Sequence, residues 1–293
     1  MFDLRYHVAS LAAVFLALVI GILVGVGISG PVDKGKTKLL EERLAGVQRQ
    51  LDDSSKHSAK AERESRAATA FINETYPVLA HNRLRGKQIA VVFLGSENDR
   101  GTRSAVNNAL SDSGALQLRF RRLKVPIDVQ QIEAALTAQP AAAGLTGRSR
   151  LEDLGRALGE ELVHGGETPL WDSLTEALVE ERLGPAKTPA DGVVLVRTVA
   201  PQRAATSRFL LGLYSGLASA GEPAVGVEQT DSAKSATAAY RKAGLSTVDD
   251  IDTLVGRLAL VLLLDGASPG QYGVKESAGG PLPPWPPRSG TGG

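Results

Sequence analysis

Asp249, Asp250 and Asp252 lie almost side by side, a density of carboxylates that could hold a metal ion or carry out acid–base chemistry. They also stand where a helix should begin. Acids at that place satisfy free backbone N–H groups and oppose the helix dipole, so capping is the expected role. The four histidines, His7, His57, His81 and His164, are far apart, and none stands at HxxxH or HExxH spacing. Each reads as a surface residue rather than a ligand. Cysteine is absent, which removes the thiol nucleophile and the disulfide together. Glu160-Glu161 and Glu180-Glu181 are ordinary pairs on helix surfaces.

Phosphate-binding signatures are missing too. The loop Gly95-Ser96-Glu97-Asn98-Asp99-Arg100-Gly101 has no GxGxxG spacing, and its two acids would repel a pyrophosphate. The sequence holds no GxxxxGK[ST] and no GxSxG elbow. No catalytic or cofactor-binding residue is therefore assigned, and the chain reads as a non-enzyme. The 33 basic and 32 acidic residues nearly cancel and aromatics make up 4%, which argues against a nucleic-acid surface. Arg119, Arg121, Arg122 and Lys124 form one basic patch, equally well explained as the charged guard of an edge strand.

The elements that would carry these residues begin with an apolar run. Val8 to Ile28 contains no charge, amide or proline. As a helix it covers roughly the 30 Å of a bilayer's hydrocarbon core. The run is too long for a signal peptide's h-region, Arg5 is a thin n-region, and Pro31 sits badly beside a cut at Ser29-Gly30. A retained single-pass anchor in membrane lipid is expected. Small residues recur every fourth position through Ala9, Ala13, Ala17, Gly21, Gly25 and Ser29, a groove along which a second helix can approach.

Residues 33–75 read as a second long helix. Leu40, Leu44, Val47 and Leu51 alternate steps of four and three, the seam of a short parallel coiled coil that continues as a spacer and stops near Pro77. Both segments point to a homo-oligomer. From Gly86 strands and helices alternate. Gln88–Leu94 and Gly192–Val196 are near-continuous apolar runs, Ala115–Leu123 alternates, and Ala224–Val227 and Ser246–Val248 are short. Helices are expected at 102–113, 128–138, 151–163, 171–182, 204–220, 233–243 and 252–264. That order predicts an α/β fold, a Rossmann-like or flavodoxin-like parallel sheet. The division is a tail at 1–7, a transmembrane helix at 8–28, a coiled-coil or spacer helix at 33–75, the α/β domain at 86–266, and a Pro/Gly-rich tail at 267–293. Within that last tail GGPLPPWPPRSGTGG (279–293) is too rich in Pro and Gly to pack as helix or sheet and is expected to be disordered at its end.

The opening MFDLRYHVASLAAVFLALVIGILVGVGI, the later STVDDIDTLVGRLALVLLLDG and the closing GQYGVK together resemble the actinobacterial MctB family of copper transporters, from Met1 through Lys275. The resemblance implies an envelope protein that contributes to copper efflux and homeostasis, with a pore-forming role at an outer membrane and the α/β domain outside the cytoplasm. The flanking charges disagree. Arg5 precedes the anchor while Lys34, Lys36, Lys38 and Arg43 follow it, which by the positive-inside rule places the body in the cytoplasm. The residues also lack what copper prefers. Cu(I) takes thiolate or thioether ligands, and the one methionine is Met1. No cofactor is identifiable, copper enters as a transported ion, and no metal-ligating residue can be assigned. The alternatives are an envelope scaffold that docks other envelope proteins without binding copper, and a ligand-binding receptor or enzyme using strand ends near Gly95, Arg197 and Glu228.

Overall fold

The computed structural model describes residues 4–27, 34–95, 100–137, 139–145, 147, 149–185 and 187–285. Residues 1–3 of the first tail, Ile28 at the end of the expected span, the candidate cleavage site at 29–31, most of the acidic loop (96–99) and the tail beyond Trp285 lie outside the described residues. The chain divides into two compact units, Met1–Ala68 and Thr69–Gly293.

The first unit holds helix α1 (Leu4–Gly27) and most of α2 (Lys34–Ala80). Among the described residues no helix is long and apolar enough to cross a membrane. The α1 side chains that are described run from 13 to 25, about 20 Å of helix. Within that stretch Val14, Phe15, Leu16, Leu18, Leu23 and Val24 are exposed, and in α2 so are Leu44, Val47 and Leu51. Helix α2 does not stop near Pro77 but runs on to Ala80. Pro77 forfeits one N–H, yet its carbonyl still accepts from the His81 N–H at 3.1 Å, and Tyr76 and Ala80 pack into an apolar cluster of the second unit.

The second unit continues with β1 (Gln88–Leu94), α3 (Arg100–Asp112), β2 (Leu116–Leu123), α4 (Val129–Leu136), a 3-10 turn (Pro140–Ala142), α5 (Arg150–His164), α6 (Pro169–Leu178), β3 (Val179–Leu183), β4 (Gly192–Arg197), α7 (Ala204–Ser219), β5 (Ala224–Val227), α8 (Thr237–Lys242), β6 (Ser246–Val248), α9 (Leu254–Leu264) and β7 (Gln271–Tyr272). It is a mixed α/β fold around a seven-stranded sheet of order β3-β2-β1-β4-β5-β6-β7. All neighbouring strands are parallel except β2 and β3. Strand β4, buried throughout, and β1, buried from Ile89 onward, hold the two apolar runs of the sequence, as expected of strands covered on both faces. One core lies between the sheet and α4 to α8, through residues such as Leu158, Trp171, Leu213 and Tyr240. The other lies against α3 and α9, through Val106, Leu110, Leu260 and Leu264.

Three sequence expectations fail here, each for a tertiary reason. The helix expected over 171–182 ends at Leu178, and the chain turns into β3, antiparallel to β2. Glu180 and Glu181 are therefore not a helix-surface pair: Arg122 reaches both, at 3.1 and 3.3 Å, and Arg103 adds a second bond to Glu181 at 3.0 Å. The β2 arginines are not an edge guard either. Covered by β3, Arg119, Arg121 and Arg122 are buried, with the Arg121 guanidinium donating to the carbonyls of Phe120 and Leu183. Burial, then the neighbouring guanidinium of Arg121, lowers the Arg119 pKa to about 10. Lastly, the α/β domain does not end at 266, because the segment just after Ala267 joins the sheet. Strand β7 pairs with β6, and Arg83 stacks on the Trp285 ring at 4.4 Å.

Helices α5 and α7 touch backbone to backbone through Gly155 and Gly159 on one and Gly212 and Gly216 on the other. A Cβ placed on Gly159 would lie 2.7 Å from both the Leu213 carbonyl oxygen and the Leu217 nitrogen. Only glycine permits that approach. The contact fixes α7 against α5, and α7 is one wall of the strand-end region.

Candidate functional site

In open parallel sheets ligands bind beyond the carboxyl ends of the strands, near the point where strand order reverses. Here that reversal falls between β1 and β4. The strand ends deliver Gly95 after β1, Arg197 closing β4, Glu228 after β5, and Asp249 and Asp250 after β6. Most of these groups hold one another.

Glu228 is 2% exposed. Its carboxylate accepts from the Ser235 hydroxyl at 2.8 Å and the Ala236 N–H at 2.6 Å, and it forms an ion pair with the Lys275 ammonium. The Asp249 carboxylate accepts from the N–H groups of Val274 and Lys275, at 2.8 and 3.3 Å. Asp252 accepts from the Thr230 N–H and hydroxyl, at 2.7 and 3.1 Å. The acidic cluster is thus bonded to loop donors, and it is not the cap of the following helix. The α9 cap is Thr253, whose hydroxyl oxygen accepts from the Gly256 N–H at 2.9 Å. Asp250 accepts from the Thr253 hydroxyl at 2.9 Å with one oxygen, and its other oxygen has no partner among the described residues. Burial raises its pKa above the ordinary value, which the Thr253 bond opposes. Two sequence blocks that carry the family resemblance, STVDDIDT and GQYGVK, are in large part the two sides of one hydrogen-bonded stitch.

Arg197 is different. It is 5% exposed, and its guanidinium donates to the Ser235 carbonyl at 2.7 Å. It has no carboxylate partner among the described residues, and its Nε lacks any hydrogen bond. Tyr214 on α7 and Tyr240 on α8 meet edge to face beside it, with ring centroids 5.2 Å apart. Both hydroxyls lack a hydrogen bond of normal geometry. Burial pushes the Tyr214 pKa up to about 12 against the lowering effect of Arg197, and burial likewise raises Tyr240 well above its ordinary value. Both phenols are therefore neutral donors at physiological pH. A cleft of about 180 Å³ opens there, lined by Arg197, Tyr214, Lys242, Gln202 and Ser207 with an apolar wall that includes Leu210 and Leu211. Of the strand-end trio named from sequence, Arg197 lines a cleft, Glu228 is consumed internally, and most of the loop beyond Gly95 lies outside the described residues.

The remaining sequence candidates are dispersed. His57 bonds the Asp53 carbonyl, His81 bonds Asn82, and His164 bonds the Ala220 carbonyl; the His7 side chain is not among those described. Among the described residues no group of three or more His, Cys, Asp or Glu is arranged to hold a metal ion. Ala13, Ala17, Gly21 and Gly25 lie on α1, and a Cβ on either glycine would meet nothing within 4 Å. Leu40, Leu44, Val47 and Leu51 lie on α2, the side chain of Leu40 being outside those described. Neither the Tyr214–Tyr240 pair nor the α5–α7 glycines was anticipated. The GxxxG spacings at 155–159 and 212–216 were the signal available for the latter.

The class so defined is an α/β body on a mostly parallel sheet, preceded by a unit of two helices. The family profile described as "Copper transport outer membrane protein, MctB" matches residues 1–283, and the chain belongs to this family. It is 25% identical over 311 residues to the copper transporter MctB of Mycobacterium tuberculosis, and equally to that of Mycobacterium bovis. Each match covers 95% of this chain and 98% of the relative.

Proposed function

We propose that the chain is a non-enzymatic envelope protein, anchored by a single membrane pass, that contributes to copper efflux and copper homeostasis as an oligomer. The observation that carries this reading is the family match over residues 1–283. The whole apolar run from Val8 to Ile28 is the span, long enough for a bilayer. The exposed α1 side chains, Phe15, Leu16 and Leu23 among them, need lipid or another helix to cover them. Association runs through the face of Ala13, Ala17, Gly21 and Gly25, then through Leu40, Leu44, Val47 and Leu51 in a parallel coil. The α/β body faces the extracytoplasmic side, as family membership suggests and against the flanking charges. Copper is cargo in this reading, and a pore belongs to the assembled helices rather than to one chain.

The test is intracellular copper in cells lacking the gene, under copper load, with and without the chain restored. Excess copper that returns to normal on restoration supports the role. Unchanged copper overturns it, and a co-purifying envelope protein would then favour the scaffold. A reporter fused after Gly293 and active only outside the cytoplasm tests the topology.

A further inference from the structure

We propose that the cleft at the carboxyl end of β4 binds the carboxylate of a small organic acid with a hydrocarbon body. Arg197 carries the inference. A buried guanidinium without a counter-ion is costly, and Arg197 has a carbonyl partner, an unbonded Nε and no carboxylate among the described residues. The Tyr214 hydroxyl, beside Arg197 and electrostatically coupled to it, is a second buried polar group without a hydrogen bond of normal geometry. Buried polar atoms left unsatisfied in a native fold ask for an absent water, ion or ligand. Lys242, exposed at the same cleft, adds positive charge, and among the described residues no Asp or Glu lines it.

Shape and lining then choose among anions. At about 180 Å³ the cleft is smaller than the roughly 300–1,000 Å³ of drug-sized sites. Its wall of Pro201, Leu210, Leu211 and Ala239 suits a hydrocarbon body. Inorganic phosphate would leave oxygens facing that wall without donors. A carboxylate needs few donors, and a charged partner roughly doubles the strength of each bond. The buried arginines of β2 make the contrast. Arg119 and Arg121 border a cavity of about 30 Å³, room for a water rather than an organic ligand.

The experiment is calorimetric titration of the full chain in detergent, against a micelle blank, with sodium benzoate, the neutral benzyl alcohol, and inorganic phosphate. Saturable benzoate binding is expected, with none for benzyl alcohol. Tyr214→Phe keeps the ring and removes one donor, and should weaken benzoate binding about tenfold. Lys242→Gln, on the exposed rim, should weaken it less, with an effect that fades as salt rises. Arg197→Gln should abolish binding, and its far-UV circular dichroism would report whether the body is still folded. Absent benzoate binding, equal binding of benzyl alcohol, preferential binding of phosphate, or a Tyr214→Phe variant that binds as the parent does would each overturn the assignment.

Discussion

Gly159→Ala sets two magnitudes of opposite sign against each other. In a helix interior the alanine is intrinsically better by about 0.8–1 kcal/mol. The structure opposes that gain. The new methyl would sit 2.7 Å from the Leu213 oxygen and the Leu217 nitrogen and 2.9 Å from the Gly216 carbonyl carbon. All three are backbone atoms that cannot swing away, and comfortable separation is about 3.5 Å. Helices α5 and α7 must therefore part by roughly 0.6–0.8 Å, a gap that forfeits about a quarter to a half of the dispersion well across it. Leu158, Leu162, Phe209, Leu213 and Leu217 are buried in that layer. At about 0.6–1 kcal/mol lost for each, the layer loses about 3–5 kcal/mol. The net expectation is a loss of about 2–4 kcal/mol, which for a body of this size lowers Tm by about 4–16 °C. Thermal and urea unfolding of the full chain in detergent measure it. Gly46→Ala in α2, where the new methyl meets nothing within 4 Å, is the control and should be neutral or mildly stabilising. A Gly159→Ala variant as stable as the parent, or more so, would show that the two backbones are not in contact.

The strand-end stitch predicts that Glu228→Ala costs about 3–5 kcal/mol, because it strands the Lys275 ammonium and the Ala236 N–H. A double-mutant cycle with Lys275→Met should show coupling above about 1 kcal/mol, and strict additivity would deny the ion pair. Burial raises Asp250 above its ordinary 3.8, so the folded state holds the proton more tightly than the unfolded one. The stability that this group contributes is present below 3.8 and is lost as pH rises through the folded pKa. Asp250→Asn should therefore gain on the parent at neutral pH, and the gap should close toward about pH 3.5; a gap independent of pH would contradict the burial argument. Under the proposed anchor, Gly21→Leu and Gly25→Leu should each lower self-association of 8–28 in a membrane dimerisation assay. Undiminished association would leave that helix a plain anchor.

Strands β1 and β5 were readable to the residue, because a strand buried on both faces is largely apolar and stops at turn residues, and β6, Ser246-Thr247-Val248, was readable from its place in the strand–helix alternation. Strand β3 was not. Val179-Glu180-Glu181-Arg182-Leu183 has helix-forming composition, and what makes it a strand is the pair Arg103 and Arg122 waiting on distant elements. Strand β7 hid in a stretch bracketed by glycine and proline, since two residues of sheet carry no periodicity. The acidic cluster misled for a related reason. Nearness to a helix start suggested caps, while the true partners, Thr230, Val274 and Lys275, are 22 to 26 residues away in sequence. Arg197 could be named from its place at a strand end, but the two tyrosines that complete the cleft come from helices that sequence alone does not bring together.

The two ends of the sheet bear on how copies of this chain could crowd together. At one margin β3 presents Glu180, Glu181 and Arg182; at the other β7 is two residues long and is followed by a bridge from Tyr272 to Gly280. Short, charged or covered margins do not template a further strand. The sheet's own borders therefore offer a second copy no ready edge for strand addition.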